Sequence, residues 1–548
     1  MTVTPPRAGD ATVRPARPGP DRPDTGVTRY VSQSFLARAA LVTVVLSLAG
    51  ALLGLGRDQV LAQLFGAGSE TDAFLVAWTV PEFAATLLIE DGLAFALVPA
   101  FSAALARRVR EGTGDPVRAL VRSTLPRLTL AFAVLSVLLV CGAPYLVEVL
   151  APGLTNPRFA VDCTRLTGTC VLTFGLAGYC SAVLRAHRRF VAPAVIYVAY
   201  NTAIIAAMLL LGARWGVRAA AVGVAVGGAL MVVIQLPFLL RQLRRGETAP
   251  TTPAETAASR HAMGLALVGT AALFALCRQS QVLVERFLGS SLPSGAISHL
   301  NYAQKVAQMP MVLALMLCTV TFPVVAQALA EGDTERARDR IERDLTVVSY
   351  VVLLGTAAVV ACGPQLVHLL FQRGAFTAQD TATTAAVMRV YALGLLGHAL
   401  VGALVRSYFS AGRPTWYPVA AMIAGVVVTS WIGAATVGSW GVLGIAAANA
   451  AGITLTALLL LHGMERCSVP IRTRQVLARM GRPLRAAVVA GGVGAFCASR
   501  IDSPALGLAA GGATVTVAFL LLARTPGGQG LIPVLRTAPR RIPHARVR

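Results

Sequence analysis

Charge is scarce in this sequence. Only 13% of its 548 residues are Asp, Glu, Lys or Arg, against about a quarter in ordinary soluble chains. Aromatic residues make up 6%, and lysine occurs once, at Lys305, among 48 basic residues. So few charges cannot cover several water-facing domains, while 55% hydrophobic residues and a mean hydropathy of +0.67 point to lipid as the main solvent. The nine cysteines, Cys141, Cys163, Cys170, Cys180, Cys277, Cys318, Cys362, Cys467 and Cys497, form no CxxC and have no histidine pattern nearby, so they read as small core residues rather than metal ligands. No nucleophile elbow, Walker loop, HExxH or zinc spacing is present. Chemistry on a substrate is therefore not expected, and neither a cofactor nor a metal is called for.

Long apolar runs are abundant. Each can cross the roughly 30 Å hydrocarbon core as a helix, and all are too long to be barrel strands. Punctuation by Arg, Pro and Gly places about fourteen spans, near 37–56, 72–105, 128–150, 164–186, 191–212, 217–240, 262–289, 297–329, 345–371, 384–411, 416–437, 441–463, 484–500 and 505–523. The expected fold class is an all-α integral membrane protein. The net charge of +23 sits between the apolar runs and forms no single basic face, so it reads as topology and no nucleic-acid partner is expected.

Arginine alternates by loop. Arg107, Arg108, Arg110, Arg118 and Arg122 follow span two, Arg241, Arg244 and Arg245 span six, Arg336, Arg338, Arg340 and Arg343 span eight, and Arg466, Arg472, Arg474 and Arg479 span twelve. By the positive-inside rule both termini are cytoplasmic, in keeping with an even span count and the basic tail Arg536, Arg540, Arg541, Arg546, Arg548. Residues 1–34, rich in Pro, Arg and Asp, read as a disordered cytoplasmic tail. The first apolar run, from Phe35, is followed by no small-residue cleavage site and reads as a span.

The two halves echo each other at an offset of about 220 to 225 residues. LVPAFSAALA around Pro99 answers TFPVVAQALA around Pro323, Cys141–Leu150 (CGAPYLVEVL) answers Cys362–Phe371 (CGPQLVHLLF), and Trp215-Gly216-Val217 answers Trp440-Gly441-Val442. Six spans per copy keep both copies in one orientation, so two lobes should flank a central cavity. The expected organisation is an N-lobe at 35–245, a C-lobe at 246–465, a two-span appendage at 466–523 and a basic cytoplasmic tail at 524–548.

An ionisable group at membrane depth needs a partner, an aqueous cavity or a job. Span one ends in Arg57-Asp58, which either neutralise each other near the interface or line a cavity. Span two carries Asp72, Glu82, Glu90 and Asp91. On a continuous helix Asp72 and Glu90 fall at one angle and Glu82 about 80° away, with Pro81 bending the helix between them. This shared acidic side suits ion pairs with arginines, or cation or proton sites. Lys305, beside Gln304 and Gln308 in span eight, reads either as a compact point charge on a wetted face where a planar guanidinium would fit poorly, or as a lysine snorkelling to the interface. Span seven adds Arg278 as a single charge, and Glu285-Arg286 as an ion pair.

The stretches RDQVLAQLFGAGSETDAFLVAWTVPE (Arg57–Glu82), Glu90 with Gly92 and Val98-Pro99, RQSQVLVERFLGSSLPSGAISHLNYAQKVAQMP (Arg278–Pro310) and LFQRGAFT (Leu370–Thr377) together resemble the MurJ (MviN) family of lipid II flippases, over residues 35–523. The resemblance implies a two-lobed bundle with a cationic central cavity, and two C-terminal helices that form a groove for a lipid tail. It also implies flipping of an undecaprenyl-pyrophosphate-linked cell-wall precursor by alternating access in the inner membrane. Arg57 and Lys305 would contact the pyrophosphate, Asp72 would orient Arg57, and Asp58, Glu82, Glu90 and Gln304 would complete the site. The alternative cargo is another lipid-linked saccharide or an amphiphilic metabolite held by the span-two acids. The expected partners are a lipid-linked anionic substrate and membrane lipids, with cell-wall synthesis enzymes as candidate protein partners and the monomer as the working unit. The sequence departs from the family where Ala51 and Ala85 replace usual arginines and Gln304-Lys305 replaces Asp-Arg. The family raises sodium coupling, but span eleven (416–437) has no Asn or Asp to ligate a hard cation.

Overall fold

A backbone amide in hydrocarbon must be paired within its own segment, so the apolar runs become helices. The computed structural model describes residues 33–90, 92–111, 115–244, 265–316, 325, 328, 331–410 and 415–524. In the first half, α1 is Gln33–Phe65, α2 Ser69–Ala77, α3 Thr79–Ala84, α4 Gly92–Glu111, α5 Pro116–Cys141, α6 Ala143–Leu150, α7 Pro157–Gly168, α8 Cys170–Ala186, α9 Val191–Trp215 and α10 Arg218–Arg244. In the second, α11 is Leu265–Ser290, α12 Ala296–Ala307, α13 Thr334–Phe371, α14 Ala378–Ala392, α15 Leu395–Ser410, α16 Tyr417–Trp440 and α17 Val442–Cys467. Two further helices follow, α18 (Thr473–Ser499) and α19 (Pro504–Ala523). Among the described residues there is no strand.

Ten of the described helical segments are long and apolar enough to cross a membrane, or eleven if the pair bent by 47° (Ala378–Ala392 and Leu395–Phe409) is one span. Three expected spans fall outside that set. The span at 262–289 carries Arg278, Glu285 and Arg286, the one at 484–500 continues an arginine-bearing helix, and the one at 297–329 lies partly outside the described residues. The tails at 1–32 and 525–548 also lie outside them.

Backbone geometry repeats with the sequence. The helices α9 and α16 end at Gly216 (φ 57°, ψ −144°) and Gly441 (φ 54°, ψ −132°), in the echoed Trp-Gly-Val motifs. Positive φ of this kind needs glycine. The Cys-Gly echoes also match: Gly142 divides α5 from α6, while Cys362 (φ −105°, ψ 19°) kinks α13 just before Pro364. Cys163, Cys170, Cys180 and Cys362 are buried core residues, Cys141 is exposed, and Cys318 lies outside the described residues.

The second span runs from Ser69 to Glu90 as one helical stretch, and its hydrogen bonding departs from a regular α-helix at two places. Pro81 has no N–H for the carbonyl of Ala77, and the buried Thr167 hydroxyl on α7 donates to that carbonyl at 3.1 Å. The α-helix is thus interrupted at Trp78 without a change of direction large enough to divide the span, and it then runs through a π-helical turn, Ala85–Glu90, which shifts the register. Asp72 and Glu90 therefore share no face.

Candidate functional site

Among the described residues, seven hydrogen bonds join the two halves. At the end opposite the arginine-rich connections, called the outer end after the positive-inside expectation, Ala375 N donates to Gln63 O at 2.9 Å and Gly153 N to the Ser290 hydroxyl at 3.3 Å. The Asp72 carboxylate, 4% exposed, accepts from Gly295 N (2.7 Å), Ser298 N (2.7 Å) and Ser298 Oγ (2.6 Å). It thus caps the N-terminus of α12, where unpaired amides and the helix dipole favour a negative charge.

One helical stretch further in, Lys305 Nζ lies 3.5 Å from Glu82 Oε1, and Gln279 Nε2 donates to Thr86 Oγ1 at 3.2 Å. Seven residues of α12 separate Ser298 from Lys305, so the second layer sits about 10 Å deeper. The bundle is laced at its outer end and across its middle.

Arg57 faces the same seam from α1. Its Nη2 lies 2.7 Å and its Nε 3.0 Å from Asp58 Oδ1, while Nη1 donates to Asn201 Oδ1 at 3.3 Å. Its guanidinium carbon stands 4.2 Å from the Trp78 ring centroid, a cation–π contact. Asn201 is itself fixed, donating to Gly50 O (3.2 Å) and Tyr197 O (3.0 Å). Asp58, not Asp72, therefore orients Arg57. The expectation for Asp72 is corrected: its carboxylate is taken up by the start of α12 in the other half.

The two cations differ in how firmly they are held. The Arg57 side chain is 12% exposed, with a carboxylate, an amide and an indole around it. The Lys305 side chain is 33% exposed, and its partner Glu82 23%. Its 3.5 Å contact is longer than the roughly 2.7–2.9 Å of a tight charge-assisted bond. A ligand phosphate can displace Glu82 from Lys305 more readily than Asp58 from Arg57. Glu90, exposed on the π turn, accepts from the Tyr197 hydroxyl at 2.9 Å, and Gln304 lies half-buried beside Lys305. Asp91 is outside the described residues. Ala51 is exposed and Ala85 half-buried, so neither replaced arginine leaves a charge in the seam. Of the expected site residues, Arg57 and Lys305 are the cations, each beside a carboxylate, Asp58 and Glu82.

Glu285 and Arg286 do not form the expected ion pair. Neighbours on a helix point about 100° apart, and each finds its own partner. Glu285 accepts from Asn449 Nδ2 at 2.7 Å, whereas Arg286 donates to Asn301 Oδ1 (3.3 Å) and Ile297 O (3.4 Å). The sequence reading missed Asn201, Trp78, Tyr197, Thr86 and Gln279. Asn201, the one amide side chain in the apolar run 191–215, carried the clearest signal.

A family model described as "Lipid II flippase MurJ" matches residues 61–507. The chain belongs to that family. The lipid II flippase MurJ of Burkholderia cenocepacia is 28% identical over 478 residues, covering 85% of this chain and 91% of the relative. The probable lipid II flippase MurJ of Bdellovibrio bacteriovorus is 26% identical over 460 residues, covering 81% and 84%. A solved lipid II flippase MurJ in an inward closed conformation superposes with a TM-score of 0.72 at 19% identity, over 88% of this chain and 98% of that one. At that identity the match speaks for the fold. This member of the family is a multi-pass membrane protein of the transporter type.

Proposed function

We propose that the chain flips lipid II, an undecaprenyl-pyrophosphate-linked peptidoglycan precursor, across the inner membrane by alternating access. The observation that carries this reading is the loose Lys305–Glu82 pair spanning the two halves, beside an anchored Arg57, in a chain of the MurJ family. Pyrophosphate takes Lys305 from Glu82 and then lies near Arg57, while the polyprenyl tail stays in lipid. The halves rock about the seam, and the outer contacts at Asp72 and Gln63 open as the inner side closes. Asp72 serves as latch, and Asp58 holds Arg57.

In this reading fourteen spans form an N-lobe at 35–245, a C-lobe at 246–465 and an appendage at 466–523, with both termini cytoplasmic. The chain works without bond-breaking chemistry, as a monomer, with cell-wall synthesis enzymes as candidate partners. A second reading, export of another lipid-linked saccharide or an amphiphilic cation, is favoured by the partly exposed carboxylates Glu82 and Glu90 of the second span. Reconstituted vesicles separate the two: translocation of labelled lipid II, lost in Lys305→Ala, supports the first. Selective binding of cationic amphiphiles, lost in Glu82→Gln, with no lipid II movement, supports the second.

A further inference from the structure

At the outer end of the seam, α1 and α9 of the first half face the end of α13 across a cleft of about 210 Å³. Its α1 wall includes Gln59 and Gln63, which continue outward along the helix from Arg57. Opposite stand Leu370, Phe371 and Arg373, and Ile205 of α9 completes the apolar part of the lining. The turn that carries Arg373 is pressed against α1. Gly374 has φ 60°, a Cβ there would collide with Gln63 O, and Ala375 N donates to that same carbonyl at 2.9 Å. The local backbone thus fixes Arg373 at the cleft.

The side chain of Arg373 is exposed and donates once, from Nη2 to Leu369 O at 3.2 Å. Among the described residues no carboxylate lies within ion-pair distance of it. This contrasts with Arg57 and Lys305, each of which already has a carboxylate. A guanidinium and two carboxamides beside an aromatic and aliphatic wall match a phosphate group attached to a lipid tail. The volume is below the roughly 300–1,000 Å³ of small-molecule pockets, so it suits the phosphates alone, with larger attached groups projecting into water.

We propose that this cleft is a second, outer binding site for the phosphate or pyrophosphate headgroup of a lipid, with Arg373 as its cation and Gln59 and Gln63 as donors. Read with the proposed function, on which the identity of the cargo rests, it is a station where a lipid carried past Arg57 pauses before leaving. The same chemistry would also hold an anionic phospholipid of the bulk membrane.

Native mass spectrometry of the full chain, released from phosphatidylcholine nanodiscs, tests this with two probes: a polyprenyl pyrophosphate and phosphatidylglycerol. The wild type should retain two equivalents of polyprenyl pyrophosphate, one lost in Lys305→Ala and the other in Arg373→Ala. Affinity at the outer site should fall about five- to tenfold in Arg373→Ala and recover in part in Arg373→Lys. Phosphatidylglycerol competing for the Arg373-dependent equivalent would support the site and assign it to bulk lipid as well. An Arg373→Ala protein that binds both probes like the wild type would overturn it. Loss of only the Lys305-dependent equivalent from the wild-type pattern would defeat the functional reading and leave the outer site standing.

Discussion

Replacing Asp72 by Asn should unfasten the outer end of the bundle. The buried carboxylate accepts three hydrogen bonds at 2.6–2.7 Å from the start of α12, in the opposite half. Asn keeps the shape, but its NH2 group donates, so one of the Gly295 and Ser298 amides meets another donor. Losing a charge-assisted bond removes about 1.5–3 kcal/mol, and losing the negative charge at the helix N-terminus about 0.3–1 kcal/mol. A total of about 2–4 kcal/mol shifts the balance away from the outer-closed state roughly 30- to 800-fold. Hydrogen exchange at Gly295 and Ser298 within residues 295–299 reads this directly, because the Asp72 carboxylate is the acceptor for those two amides. Exchange there should quicken by about one to three orders of magnitude, with core α8 amides unchanged. Unaltered protection at 295–299 would refute the latch.

Other substitutions probe the parts around it. Asn201→Leu strips one partner from Arg57 and should lower stability by about 1–3 kcal/mol, read as a lower denaturation temperature in detergent; an unchanged transition would show that Asp58 and Trp78 suffice. Glu82→Gln removes the competitor at Lys305, so affinity for an isoprenyl pyrophosphate should rise roughly two- to fivefold, the scale of a partly exposed ion pair. Weaker binding in Glu82→Gln would instead mark Glu82 as a ligand. Gly178→Ala would drive a Cβ into Leu88 O in the π turn, so folded yield should drop sharply in membrane extracts; normal yield would show that the turn can give way.

Much of the architecture was legible because lipid makes it so. Apolar length alone marks spans, and Trp215-Gly216 and Trp440-Gly441 could be paired on sequence because both need the same positive-φ helix end. The irregular second span was less legible. Extrapolating one helical angle from Asp72 to Glu90 ignored the π turn, which has no reliable sequence mark, whereas Pro81 marked the irregularity near Trp78. Pairing across the halves was hidden for another reason. Glu82 and Lys305, like Asp72 and Ser298, are more than 220 residues apart, and only packing brings them together. Adjacency misled at Glu285-Arg286, where side chains next to each other in sequence point to different helices. It held at Arg57-Asp58, where the long arginine arm folds back onto its neighbour.

The central claim is that Lys305 serves as an exchangeable cation for a pyrophosphate-linked cell-wall precursor. It is tested most directly by expressing the chain in a bacterium depleted of its only lipid II flippase. The wild type and Lys305→Arg should restore growth, and Lys305→Ala, present in the membrane at equal level, should not. Full rescue by Lys305→Ala, or no rescue by the wild type at normal membrane level, would contradict the account.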